Sequence, residues 1–148
     1  MEDGAEGADN RRMKAILVLT ATLAFVTSPL WSSGFGGFDA DAYPNPQIDP
    51  PIQPAGYAFS IWSVIYLWLI AGAGFGLLRR ADAPGWDAMR RPLFASLAIG
   101  TAWLSVAQMS PIWASILIWV MLITALAALL SAGRDDPWWL EAPIGLYA

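Results

Sequence analysis

Charged residues stand in clusters along this chain, and long apolar stretches separate the clusters. Residues 15–38, 50–78 and 92–133 contain no Asp, Glu, Lys or Arg. A helix needs about 20 mostly apolar residues to cross a bilayer. The first two gaps therefore each hold one span, and the third holds two. Ser110-Pro111 divides the third gap, because Pro suits a turn or the first turn of a helix. A further apolar segment starts at Trp138 and runs to Ala148. The pattern predicts helices over about 13–31, 57–78, 92–109 and 112–133, and from about 138 a fifth that is cut short at 148. Residues 1–12 are expected to be a disordered N-terminal tail, and 13–148 a transmembrane helical domain. Residues 32–54, rich in Pro and Gly, read as an irregular outer loop long enough to be functional.

Composition supports a membrane class. The 148 residues are 57% hydrophobic and 14% charged, and mean hydropathy is +0.49. A soluble domain of this size cannot hide so much apolar surface. The predicted fold class is an all-α integral membrane protein, a five-transmembrane-helix bundle. With neither Cys nor His, Cys/His zinc sites, c-type haem attachment, Ser-His-Asp triads and disulfide scaffolds are all excluded. No metal ligand and no catalytic residue is nominated. The net charge of −4 and the absence of a long basic run argue against nucleic acid as a partner.

The basic residues set the orientation. Alternating spans put Arg11, Arg12, Lys14, Arg79, Arg80, Arg90, Arg91 and Arg134 on one side, and Asp39, Asp41 and Asp49 on the other. By the positive-inside rule the N-terminus is inside, and helical spans favour a cytoplasmic membrane, with a bacterial one as the expectation. Arg11-Arg12-Met13-Lys14 and the apolar run after it would also suit a secretory signal peptide, although no good cleavage site follows. Apart from Lys14 at the inner start of the first, the first four spans carry no Asp, Glu, Lys or Arg, which argues against an ion-coupled pump.

The aromatics divide by depth. Trp31, Trp113, Trp138 and Trp139 fall at predicted membrane boundaries and read as an interfacial belt. Trp62, Tyr66, Trp103, Trp119 and Tyr147 lie deeper. At 1.5 Å per residue they converge between the midplane and the outer leaflet. Phe59, Trp62 and Tyr66 share one side of their helix by i, i+3, i+7 spacing, whereas Trp68 is expected to face lipid. Aromatics gathered at one depth could line an apolar cavity or simply pack, and spacing alone leaves both open. Gly72 and Gly76 form a G-x-x-x-G pair that permits close helix approach.

The segment at 50–66, PPIQPAGYAFSIWSVIY, resembles the tryptophan-rich sensory protein family, also called the translocator protein family. Trp62 and Tyr66 match its W-x-x-x-Y pair, after a Pro-rich loop. Ala98 and Trp103 match the A-x-N-x-x-W of the family's third helix, with Gly100 in place of the Asn. Pro143 to Ala148 is similar to the opening of its fifth helix. The resemblance implies a five-helix bundle, usually dimeric, that binds tetrapyrroles, sterol-like molecules or similar flat ligands. The ligand-binding residues implied are Trp62, Tyr66 and Trp103, with Phe59, Trp119 and Tyr147 beside them and the loop 32–54 as a lid. No cofactor is required, and porphyrin or haem enters only as a ligand. The partners expected are the lipid bilayer, an apolar small molecule and a second copy of the chain. The leading expectation is a binding or sensory protein with a regulatory or transport role. The alternatives are a porphyrin-degrading photo-enzyme, or a structural subunit that associates through Gly72 and Gly76.

Overall fold

The computed structural model describes residues 2–32 and 56–148. These residues fold as α-helices with one 3-10 turn: α1 (Glu2–Trp31), the turn Gly56–Ser60, α2 (Ile61–Arg79), α3 (Pro84–Met109), α4 (Pro111–Ser131) and α5 (Glu141–Tyr147). α1, α2, α3 and α4 are each long and apolar enough to cross a membrane, whereas α5 is short. The expected lid, 32–54, lies almost wholly outside the described residues.

Two helices begin earlier than the charge pattern suggested. α1 starts at Glu2, so residues 2–12, expected as a disordered tail, are helical here. The sequence of its first turns is acidic, and a helix dipole favours negative charge at that end. α3 starts at Pro84 rather than near 92. Pro84 is preorganised for a first helical position, and Pro92 continues inside the helix. α5 starts at Glu141 instead of 138, because residues 137–140 form a turn closed by the Leu140 N–H on the Asp136 carbonyl (2.9 Å).

α1 also carries a proline, and its cost is met locally. Pro29 has no N–H for the carbonyl of Phe25, four residues back. The Ser28 hydroxyl donates to that carbonyl instead, at 2.8 Å.

Packing runs in a ring. α1 contacts α2 and α3, α3 packs along α4, and α5 closes the ring against α2 and α4. The core holds Val18, Phe25, Ile65, Leu69, Trp86, Leu93, Leu97 and Ile144. The faces turned outward are apolar as well, including Leu67, Ile112, Ile116, Ile123 and Leu130, as a helix surface bathed in lipid requires.

The Gly72 and Gly76 face is used within the chain. A Cβ on Gly72 would lie 2.5 Å from the Trp139 carbonyl oxygen, and one on Gly76 would run into the Trp86 ring. This face is therefore covered by the approach to α5 and by α3, and it does not present the partner surface that the structural-subunit alternative needed. Trp68 packs against the turn before α5. Its indole stacks on Trp138 (6.3 Å, 18°) and donates to the Trp138 carbonyl at 2.8 Å. Tryptophan N–H groups seek a partner where no water is present, and the turn before α5 supplies one.

The basic residues gather at one end of the bundle. Lys14 pairs with Asp87 at 2.8 Å. Arg80 holds Asp136 through two bonds of 2.7 and 3.0 Å, and the Trp86 indole donates to the same carboxylate at 2.9 Å. These bonds, the Arg80 bond first, hold the Asp136 carboxyl below the ordinary carboxylate range. Arg90 is 2% exposed and donates to the carbonyls of Arg11, Ala81 and Arg80. One buried guanidinium thus ties α1 to the α2–α3 turn, using a donor fork that a lysine does not have.

Candidate functional site

Toward the other end the helices diverge around a cavity of about 660 Å³. That volume is within the usual range for small-molecule sites. Five of the six residues nominated from sequence line it: Trp62 and Tyr66 from α2, Trp103 from α3, Trp119 from α4 and Tyr147 from α5. Phe59 belongs to the turn Gly56–Ser60, and its side chain lies outside the described residues.

Each aromatic is positioned by its own helix. Tyr66 follows Trp62 by one turn, and their ring centroids are 5.7 Å apart. Trp103 is anchored across the helix pair, its indole N–H donating to the Ala114 carbonyl of α4 at 2.9 Å. Trp119 is 64% exposed and Trp62 40%, so these two stand on the rim, while Tyr66, Trp103 and Tyr147 lie deeper. Tyr147 is fixed by a 2.9 Å hydrogen bond to Ser96, which is fully buried.

The sequence reading missed the α1 wall. Phe25, Ser28 and Pro29 line the cavity, and Phe25 meets both tyrosines edge-on, 5.5 Å from each centroid. The available signal was the aromatic in the middle of an otherwise aliphatic first span. Gly100, where the resembled family has Asn, is also in the wall. A Cβ there would lie 2.8 Å from two Phe25 ring carbons and 2.9 Å from the Met121 methyl. The missing side chain is thus replaced by the Phe25 ring.

No lining side chain carries a formal charge. Its polar groups include the hydroxyls of Ser28, Tyr66 and Tyr147 and the indole N–H groups of its tryptophans. Among the described residues no group of His, Cys, Asp or Glu could hold a metal ion.

The fold and the uncharged cavity define an all-helical, multi-pass integral membrane protein. A family model described as TSPO-like protein matches residues 14–148, and the chain belongs to that family. No curated protein and no solved structure matches it.

Proposed function

We propose that this protein binds flat, apolar molecules of the tetrapyrrole or sterol-like kind within the membrane, in a sensory, regulatory or transport role. The observation that carries this reading is the gathering of Trp62, Tyr66, Trp103, Trp119 and Tyr147 around one uncharged cavity. Aromatic faces offer a planar ligand large contact area and stacking geometry. With no His or Cys in the chain, a tetrapyrrole would be held by stacking and shape. Family membership supports the reading. By the positive-inside rule the end with Arg80, Arg90 and Lys14 faces the cytoplasm, and the cavity lies toward the opposite face.

The test is titration of the detergent-solubilised chain with protoporphyrin IX. Binding is read from tryptophan quenching and from porphyrin emission, since the variant below lacks two fluorophores. The combined substitution of Trp62→Ala and Trp103→Ala weakens binding by at least about tenfold, from two lost stacking contacts. Equal affinity in parent and variant would remove the site assignment.

A further inference from the structure

We propose that the two tyrosine hydroxyls give the cavity a fixed hydrogen-bonding polarity, with Tyr66 as the ligand's donor and Tyr147 only as an acceptor. This rests on the reading of the cavity as an apolar-ligand site and names the kind of ligand it takes.

The argument is a count of protons. Ser96 Oγ is 2.9 Å from the Met121 carbonyl oxygen and 2.9 Å from the Tyr147 hydroxyl. A carbonyl can only accept, and a serine hydroxyl has one proton. That proton goes to Met121. Ser96 must then accept from Tyr147, which commits the tyrosine's only proton. What Tyr147 can still offer the cavity is a lone pair.

Tyr66 is in the opposite condition. Its side chain lines the same cavity. Its hydroxyl has no hydrogen-bond partner among the described residues, yet it is not a sealed, unsatisfied group. A hydroxyl left in an apolar cavity without a partner costs free energy that a ligand acceptor recovers. Phe25 packs against both tyrosine rings, 5.5 Å from each centroid.

The ligand that satisfies both sites is uncharged within the cavity. It carries a carbonyl-type acceptor toward Tyr66 and an N–H or O–H toward Tyr147. A carboxylate is disfavoured inside, because no lining residue is cationic and an unpaired buried charge is costly. Ser96 acts as a positioning residue, through the proton it takes from Tyr147.

Cholestanone and cholestanol share one skeleton and differ in a ketone against a hydroxyl, which makes them suitable probes. Both are measured as competitors of protoporphyrin IX on the full chain. Tyr66→Phe weakens the ketone by about three- to tenfold and the alcohol by less, since the alcohol still donates to Tyr147. Adding Ser96→Ala to Tyr66→Phe frees the Tyr147 proton and restores the ketone. Equal losses for both probes in Tyr66→Phe, or no recovery in the double variant, would overturn the polarity. If protoporphyrin IX binds and neither sterol competes, the polarity proposal fails for this ligand class while the cavity reading stands. If protoporphyrin IX does not bind the parent chain, the cavity reading itself fails.

Discussion

The ring of Phe25 rests on the bare backbone of Gly100, so close that a Cβ there would be 2.8 Å from two of its carbons. The contact joins α1 to α3 in the cavity wall. The ring has little freedom to retreat, because Tyr66 and Tyr147 both meet it edge-on at 5.5 Å.

A side chain at position 100 must therefore displace Phe25 or the Met121 methyl. Gly100→Ala is expected to lower stability by about 1–3 kcal/mol, the usual cost of overpacking, and to weaken protoporphyrin binding. Phe25→Leu in the same chain is expected to recover most of the stability by vacating the space. Thermal unfolding of the two single variants and the double variant checks this. Additive losses would show that the two positions do not compete for one volume.

Gly72 and Gly76 make a separate case. Both are occupied from within, by the Trp139 carbonyl and by the Trp86 ring. Gly76→Leu is expected to expel Trp86 and cost about 3 kcal/mol, with a loss of the Trp86 bond to Asp136. Gly72→Leu is expected to detach the turn before α5 and, through Tyr147, to disturb the cavity. Reduced melting temperature with unchanged oligomeric state, by light scattering in detergent, is the expected result. Dissociation of an assembly at unchanged thermal stability would contradict it.

Asp136 predicts a dependence on acid. Arg80 first, then Trp86, hold its folded-state value below 3.8. A depressed carboxylate stabilises the fold above the unfolded value and loses that contribution as pH falls through the folded one. Asp136→Asn is therefore expected to lower the melting temperature at pH 7, and the gap from the parent is expected to close as pH drops below about 4. Melting curves across that range decide it. A gap independent of pH would mean that the Arg80 and Trp86 bonds to this carboxylate contribute through shape alone.

Much of the architecture was legible in the charge pattern. Uncharged runs of sufficient length have one stable form in hydrocarbon, since every backbone group must be satisfied within the segment. That is why α2 and α4 fall within a few residues of expectation. The boundaries of α1 and α3 did not follow from it. Those helices continue past the apolar run into charged segments, where acids near the start of α1 and the first-turn Pro of α3 are compatible with helix.

The sequence by itself determined the helical class and the collection of basic residues at one end, and it set an expected common height for Trp62, Tyr66, Trp103, Trp119 and Tyr147. Rise per residue and the bilayer's thickness are enough to fix height. Only the tertiary structure decided what those residues surround. Whether rings at one height pack solid or line a space depends on how each helix is rotated and on what its neighbour lacks. Here Gly100 admits Phe25, Trp103 is drawn to the Ala114 carbonyl and Ser96 bonds the Tyr147 hydroxyl. These are contacts between residues far apart in the chain, and periodicity along one helix carries no information about them.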